Sequence, residues 1–368
     1  MRIGLITIYQ VPNYGSVLQA FATQCVLEQL GCECSIINYR YPNEWHWNHG
    51  APKPQSLKLL VRKIFPKTKC KVLEEFRREF LNLTRRFYNY QDLIEADWCK
   101  YDAFVVGSDQ VWNARFVHGD SVFMLSFVPE NKPRYSLASS FASKTLPEQF
   151  RVKYKNELMK FSALSVREQN GVCIINKELD INKNIKVILD PTLLLSRVDW
   201  LKAIPRASSR KNKKYILFYM LTYASNPRPY IYEVARFYQK KMNCDVIALA
   251  GYTKPENTDG LVMTNRCSAT IPEFIDLFAN SELVITNSFH GTAFALNFGR
   301  PLISIVPTED GDDRQTTLLG SLNCEHLAIR VGTDVLSIRP YYDFNEEQDL
   351  LNNIRADSLN WIKDTIKV

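Results

Sequence analysis

No stretch of this 368-residue sequence approaches the roughly 20 consecutive apolar residues of a membrane-spanning helix. Neither G-x-G-x-x-G nor G-x-x-x-x-G-K-[ST] occurs, so the common dinucleotide and P-loop fingerprints are missing. The nine cysteines are odd in number, scattered, and include no C-x-x-C pair. Reduced thiols of a cytoplasmic protein are therefore expected, with no disulfide framework and no metal site. The opening "MRIGLITIYQ" has one arginine and no small-residue cleavage motif, so a secretory signal is not expected. Histidine is scarce as well: there are five, and only one of them, His290, stands in a motif.

The charge that is present is unevenly placed. The net balance is +7, yet between Trp45 and Leu73 the basic residues Lys53, Lys58, Arg62, Lys63, Lys67, Lys69 and Lys71 meet no acidic one. Trp47 lies in the same stretch. Such a run reads either as a solvated face or as a cationic, partly aromatic surface for anionic lipid headgroups or a diphosphate. No nucleic-acid-binding motif accompanies it, so nucleic acid is not expected as a partner.

Short apolar runs alternate with helical patterns, the signature of α/β architecture with parallel sheets. Strands are expected at 2–8, 34–38, 103–107, 134–138, 163–166 and 186–189. After the polar, basic stretch "SRVDWLKAIPRASSRKNKKY" they restart at 215–221, 245–250, 282–286 and 301–306. This predicts two Rossmann-like doubly wound domains facing a cleft, at 1–197 and 215–345. A linker at 198–214 separates them, and a C-terminal helix fills 346–368. Ligands of such domains sit outside the carboxyl ends of the strands, so functional residues are sought there.

Each strand end carries a polar cluster. After the first comes "NYGSVLQAF", in which Asn13, Gly15 and Ser16 form a polar turn at a helix start, suited either to a plain cap or to an anion or sugar hydroxyl. "GSDQVWN" offers Asp109, Gln110 and Asn113 for hydroxyls and the Trp112 indole for a sugar ring, unless that indole lies in the core. "SVRE" places Arg167 behind a buried strand. It is positioned either to grip a phosphate or carboxylate bidentately or to pair with Glu168. "LDPTLLL" ends another strand at Asp190. In "NSFHGTAFALNFGRPLI", Ser288, Phe289, Gly291 and Thr292 surround His290 at a helix start, where the dipole and free N–H groups favour an anion. A histidine beside a bound anion can move a proton near neutral pH. Arg314 opens a further helix and is a second candidate anion clamp.

Taken in order, these five motifs resemble the polysaccharide pyruvyl transferase family over about residues 3–320. The resemblance implies a GT-B-like fold and transfer of pyruvate from phosphoenolpyruvate to two hydroxyls of a sugar, forming a cyclic ketal and releasing phosphate. It places the catalytic histidine on His290 and the donor-binding arginine on Arg167. It puts Ser288, Phe289, Gly291, Thr292 and Arg314 on the donor side, with Asn13, Tyr14, Ser16, Asp109, Gln110, Trp112 and Asn113 on the acceptor side. Some members resemble "S-R-L-H", with a second arginine two positions before the histidine; here that position is Ser288, and Arg314 or Arg300 is expected to take over. The implied partners are phosphoenolpyruvate, as donor substrate with no separate cofactor, and a sugar acceptor, expected to be lipid-linked. A cytoplasmic enzyme peripheral to the inner face of a membrane would fit them. A nucleotide-sugar glycosyltransferase of the same fold and a non-catalytic carbohydrate-binding relative are the alternatives.

Overall fold

The computed structural model describes residues 1–40, 68–205, 213–221, 226–249, 260–307 and 312–366. In the first half, β1 (Arg2–Ile6), β2 (Glu33–Tyr39), β3 (Leu83–Phe87), β4 (Ala103–Val106) and β5 (Arg134–Ser136) pair in the order β3-β2-β1-β4-β5. Every pairing is parallel. A parallel pair, β6 (Leu164–Val166) and β7 (Ile185–Val187), joins the β5 side through the bridges Tyr135–Ala163 and Ser139–Val166. In the second half, β8 (Tyr215–Tyr219), β9 (Asp245–Ala248), β10 (Met263–Asn265), β11 (Leu283–Thr286), β12 (Leu302–Val306) and β13 (Ala328–Arg330) pair in the order β10-β9-β8-β11-β12-β13. Strands such as β8, "YILFY", and β12, "LISIV", are buried throughout, as parallel strands covered on both faces must be. The chain is an α/β protein with two Rossmann-like parallel sheets.

In both sheets the order reverses between the first strand and a later neighbour: β1 with β4, and β8 with β11. Successive helices leave such a point toward opposite faces, which opens a crevice at the carboxyl ends of the strands. The two crevices face each other closely. Gly15, in α1 (Tyr14–Gln29), comes so near α5 (Phe289–Asn297) that a Cβ built on it would lie 2.2 Å from His290 Nδ1.

The halves are joined by packing more than the expected linker implies. Tyr14 stacks on Phe274 of α4 (Ile271–Ala279) with centroids 4.7 Å apart, and its hydroxyl donates to the Ala269 carbonyl at 2.6 Å. Trp200 meets Phe21 of the first half and Phe294 of the second at 5.9 and 5.3 Å. These side chains belong to one apolar core between the sheets, while each sheet's outer face has a core of its own. The start of the expected linker is helix α3 (Arg197–Ala203), opened by a capping box of Ser196 and Asp199. Residues 206–212 lie outside the described residues. A continuous helix, α7 (Phe344–Ile366), returns to the first half, where Ser358 Oγ accepts from the Leu189 amide at 3.2 Å and Asp357 pairs with Lys186 at 2.7 Å.

Among the described residues no helix is long and apolar enough to cross a membrane. The basic stretch with Trp45 and Trp47 lies outside the described residues up to Lys67. At its end, the exposed Lys71 stands 4.0 Å from Glu75.

Candidate functional site

Arg167 is the centre of the junction. It follows β6 directly, so the strand delivers it to the carboxyl edge, where its side chain is fully buried. Nη1 donates to Asp190 Oδ2 at 2.6 Å and to Ser108 Oγ at 3.4 Å. The opposite edge, Nε and Nη2, makes no hydrogen bond. Its nearest carboxylate oxygens are Glu168 Oε2 at 3.8 Å and Asp109 Oδ1 at 3.7 Å. The guanidinium lies over the Phe289 ring at 4.5 Å from its centroid, and that of Arg314 lies 5.7 Å from the same ring. One aromatic ring thus orients an arginine from each half.

His290 faces the same group. Its Nε2 lacks a hydrogen bond and lies 3.8 Å from Asp190 Oδ2. Burial pushes its pKa below the usual histidine range, outweighing the pull of Asp190 and Asp109, so the imidazole is neutral at neutral pH. Burial also works against the charge of Asp190. His290, Arg167 and hydrogen bonds from Ser108 and Thr192 nevertheless hold its pKa at about 2. Glu168 goes the other way: burial raises it to about 7 despite Arg167 and Arg314. Its Oε1 accepts from Ser140 Oγ, the Phe141 amide and the Ala142 amide at 3.0, 2.8 and 3.2 Å, whereas Oε2 has no partner.

A buried polar group without a partner costs about 1–3 kcal/mol. Here Arg167 Nε and Nη2, Glu168 Oε2 and His290 Nε2 share one cluster. Perturbed titrating groups and spare hydrogen-bonding capacity in one place make this cluster the candidate ligand site.

The structure gathers some of the expected residues here and places others elsewhere. Ser16 Oγ donates to Asp109 Oδ2 at 2.6 Å, so the ends of β1 and β4 meet at the switch point. Asp109 is held there in the left-handed region, at φ 69°, with Oδ1 accepting from the Gln110 amide at 2.9 Å. Gln110, half-buried, accepts from Asn113 Nδ2 at 2.9 Å. Asn13 and Asn113 cap helices, and Ser288 caps α5 by accepting from the Gly291 amide at 3.3 Å.

Four expected site residues need correction. Trp112 is fully buried, packs on Phe141 and Phe161, and donates to the Phe123 carbonyl at 3.0 Å, so it has no face for a sugar. Tyr14 belongs to the core between the halves. Thr292 and Gly291 face away from the cluster. Thr292 Oγ1 meets Ser304 Oγ at 2.7 Å, and a Cβ on Gly291 would strike Thr286 Oγ1 at 2.3 Å. His290 itself is buried, 5 % exposed.

Glu168 and Asp190 were absent from the expected site, although both stand directly after expected strands. That position was the available signal. Gln19 is a further supporting residue, its Nε2 donating to Thr7 Oγ1, the Ile8 carbonyl and the Ser16 carbonyl at 3.0, 2.9 and 3.0 Å.

A cleft of about 530 Å³ lies beside the cluster, lined by Lys144 and Asn170 from the first half and Asp312, Asp313, Thr316 and Arg330 from the second. Neither Arg167 nor His290 lines it. The Asp312–Arg314 ion pair stands between the two. Convergent chemistry, not cleft size, singles out the buried cluster. Among the described residues no group of three or more His, Cys, Asp or Glu side chains is arranged to hold a metal ion.

The family model for polysaccharide pyruvyl transferase matches residues 13–308. The chain belongs to that family. No curated protein matches it. Among solved structures it is similar in fold to UDP-GlcNAc 2-epimerase from Neisseria meningitidis, at 12 % identity and TM-score 0.52, over 100 % of this chain and 99 % of that one. The enzyme from Methanocaldococcus jannaschii gives 14 % and 0.52, over 100 % and 99 %. A putative one from Listeria monocytogenes gives 11 % and 0.56, over 100 % and 95 %.

Within a pyruvyl transferase, the serine at position 288 raises the question of a second cation. Arg300 is at the far end of α5, where it donates to the Phe298 and Ser281 carbonyls. Arg314 reaches Phe289, though the Nε/Nη2 edge of its guanidinium already grips both oxygens of Asp312. Of the two arginines considered, only Arg314 is at the cluster.

Proposed function

We propose that this family member transfers pyruvate from phosphoenolpyruvate to two hydroxyls of a sugar. The observation that carries the proposal is the free Nε/Nη2 edge of Arg167, buried beside the unpartnered Nε2 of a neutral His290. That edge has the fork geometry of a carboxylate or phosphate, and Asp190 and Ser108 fix its other side.

In this reading one acceptor hydroxyl oxygen bonds to C2 of the enol phosphate as the methylene carbon gains a proton. The second hydroxyl then displaces phosphate. Of the two hydroxyl protons, one is balanced by the new methyl group and the other by the departing phosphate. His290, neutral and with a free nitrogen, suits proton transfer at one of these steps. Arg167 and Arg314 offset charge on the donor. Asp109, bonded to Ser16 and reaching Arg167, is the acceptor-side carboxylate, with Gln110 beside it. The acceptor belongs to polysaccharide assembly, a lipid-linked sugar on the cytoplasmic side being the form proposed.

The test is incubation with phosphoenolpyruvate and a panel of glycosides, following phosphate release and the acceptor mass, with UDP-sugars as competing donors. Phosphate release that depends on acceptor, with a pyruvyl mass added to the sugar, is expected. Glycosyl transfer from a UDP-sugar, without reaction of phosphoenolpyruvate, would overturn the assignment.

A further inference from the structure

The free edge of Arg167 does not face empty space. Its two unpartnered nitrogens look toward Glu168 Oε2 and Asp109 Oδ1 at 3.8 and 3.7 Å. An anion seated on that edge meets these oxygens at close range. Around it stand Asp109 from the β4 end, Glu168 from the β6 end, Asp190 from the β7 end, and Asp312 beside α6 (Arg314–Ser321). Against these four carboxylates are two guanidinium groups, Arg167 and Arg314, and a neutral His290. A donor with a carboxylate and an ionised phosphate adds about three negative charges. Like charges at such distances in a buried site are not tolerated together.

The four carboxylates are not equivalent. Asp190 accepts from Arg167, Ser108 and Thr192, and Asp312 is gripped by Arg314. Asp109 accepts from Ser16 and the Gln110 amide. Glu168 alone has one oxygen fully served and the other bare. Oε1 takes three donors from the 140–142 loop, while Oε2, wholly buried, points at the place where the anion would sit. Protonated there, Oε2 becomes a hydrogen-bond donor and removes one negative charge.

We propose that Glu168 takes up a proton when the anionic donor binds and donates it as a hydrogen bond to a donor oxygen. The inference rests on the phosphoenolpyruvate reading above and extends it to a residue outside the family's expected set. The groups facing Glu168 agree with a proton held near neutrality. Arg167 and Arg314 lower its affinity for a proton; Asp313 and, above all, burial raise it. Arrival of an anion adds to the raising side. Well below its folded value of about 7 Glu168 is already protonated and takes up no further proton on binding. Above it, each donor must bring a proton, and affinity falls by about tenfold per pH unit.

The experiment is calorimetric titration of phosphoenolpyruvate at pH 8 in two buffers of different ionisation heat, for the wild type and Glu168→Gln. Glutamine keeps the oxygen that accepts from Ser140, Phe141 and Ala142. The wild type is expected to absorb close to one proton per donor bound and the variant close to none, with a flattened affinity profile between pH 7 and 8. Wild-type binding without proton uptake overturns this inference and leaves the donor reading standing. Uptake that survives in Glu168→Gln assigns the proton to another group and overturns it too. Failure of the wild type to bind phosphoenolpyruvate removes the donor reading and the inference together. Should the variant not fold, the infrared difference spectrum of the wild type decides. A protonated carboxylic-acid carbonyl band must appear on donor binding, and its absence contradicts the proposal.

Discussion

Gly15 and His290 show how much one missing carbon can decide. A Cβ on Gly15 would lie 2.2 Å from Nδ1 and 2.4 Å from Cγ of the imidazole, and no rearrangement of a flexible tip relieves that. Alanine in place of glycine favours a helix by about 0.5–1 kcal/mol, so α1 itself loses nothing. Gly15→Ala is therefore expected to keep its helix content by circular dichroism while losing most turnover through displacement of His290. Unchanged turnover would mean that the imidazole position is not critical. His290→Gln tests the same ring directly. Loss of an acid–base group typically costs about 100- to 10,000-fold in rate, and the expected result is a loss in that range with near-normal thermal stability. Because His290 is buried, glutamine is a better probe than alanine, which would add a cavity to the loss of chemistry.

At the scale of elements, the site depends on how α5 is held against the loop carrying Asp190. Asn297, at the end of α5, donates to the carbonyls of Thr192 and Leu195 at 2.9 and 2.8 Å, around α2 (Pro191–Leu194). Its own oxygen accepts from Arg355 of α7 at 3.1 Å, and Arg355 also donates to the Leu193 carbonyl at 2.7 Å. One side chain thus ties His290's helix, the segment after Asp190 and the C-terminal helix. Asn297→Ala strands buried partners in the other two, the Leu195 carbonyl and Arg355 Nη2, and a loss of about 1–3 kcal/mol is expected in urea unfolding. A loss below about 0.5 kcal/mol would contradict the bracing role.

Glu347 on α7 makes a pH prediction. It is 1 % exposed with Oε1 unpartnered, and burial raises its pKa to about 7. A raised folded-state value means the native chain binds that proton more tightly than the unfolded one. Its contribution is full below the unfolded value of 4.5 and is lost as pH rises through about 7. Glu347→Gln should therefore raise thermal stability most above pH 7, with the gain shrinking toward pH 4.5. A gain that grows on acidification would refute this. The elements themselves were legible where burial dictated composition. The interior strands announced themselves as apolar runs, but β3, β10 and β13, all at sheet edges, did not. "LTRRF", "MTN" and "AIR" are short and partly solvated, so neither a continuous apolar run nor a clean alternation marks them.

At the scale of the whole molecule, two sheets share a core through Tyr14, Phe274, Trp200 and Phe294. Unfolding in urea is expected as one transition, with fluorescence and circular dichroism coincident; two separated transitions would show that the halves are independent. The sequence displayed the two Rossmann-like halves and brought Arg167, His290, Asp109 and Ser16 to strand ends, because local pattern and topology suffice for that. It did not display that Trp112 and Tyr14 turn into cores or that Glu168 and Asp190 complete the cluster. Which partner a buried side chain finds across 60 or 100 residues is a property of the assembled fold.

The central claim is that the free edge of Arg167 holds the donor beside His290, and calorimetric titration of phosphoenolpyruvate into wild type and Arg167→Lys at pH 7 tests it most directly. Lysine keeps a positive charge beside Asp190 but lacks the Nε/Nη2 fork. A charge-assisted contact contributes about 1.5–3 kcal/mol. The account predicts saturable binding at one site in the wild type, and binding at least about tenfold weaker in Arg167→Lys. Equal affinities in the two proteins, or no binding to the wild type, would contradict it.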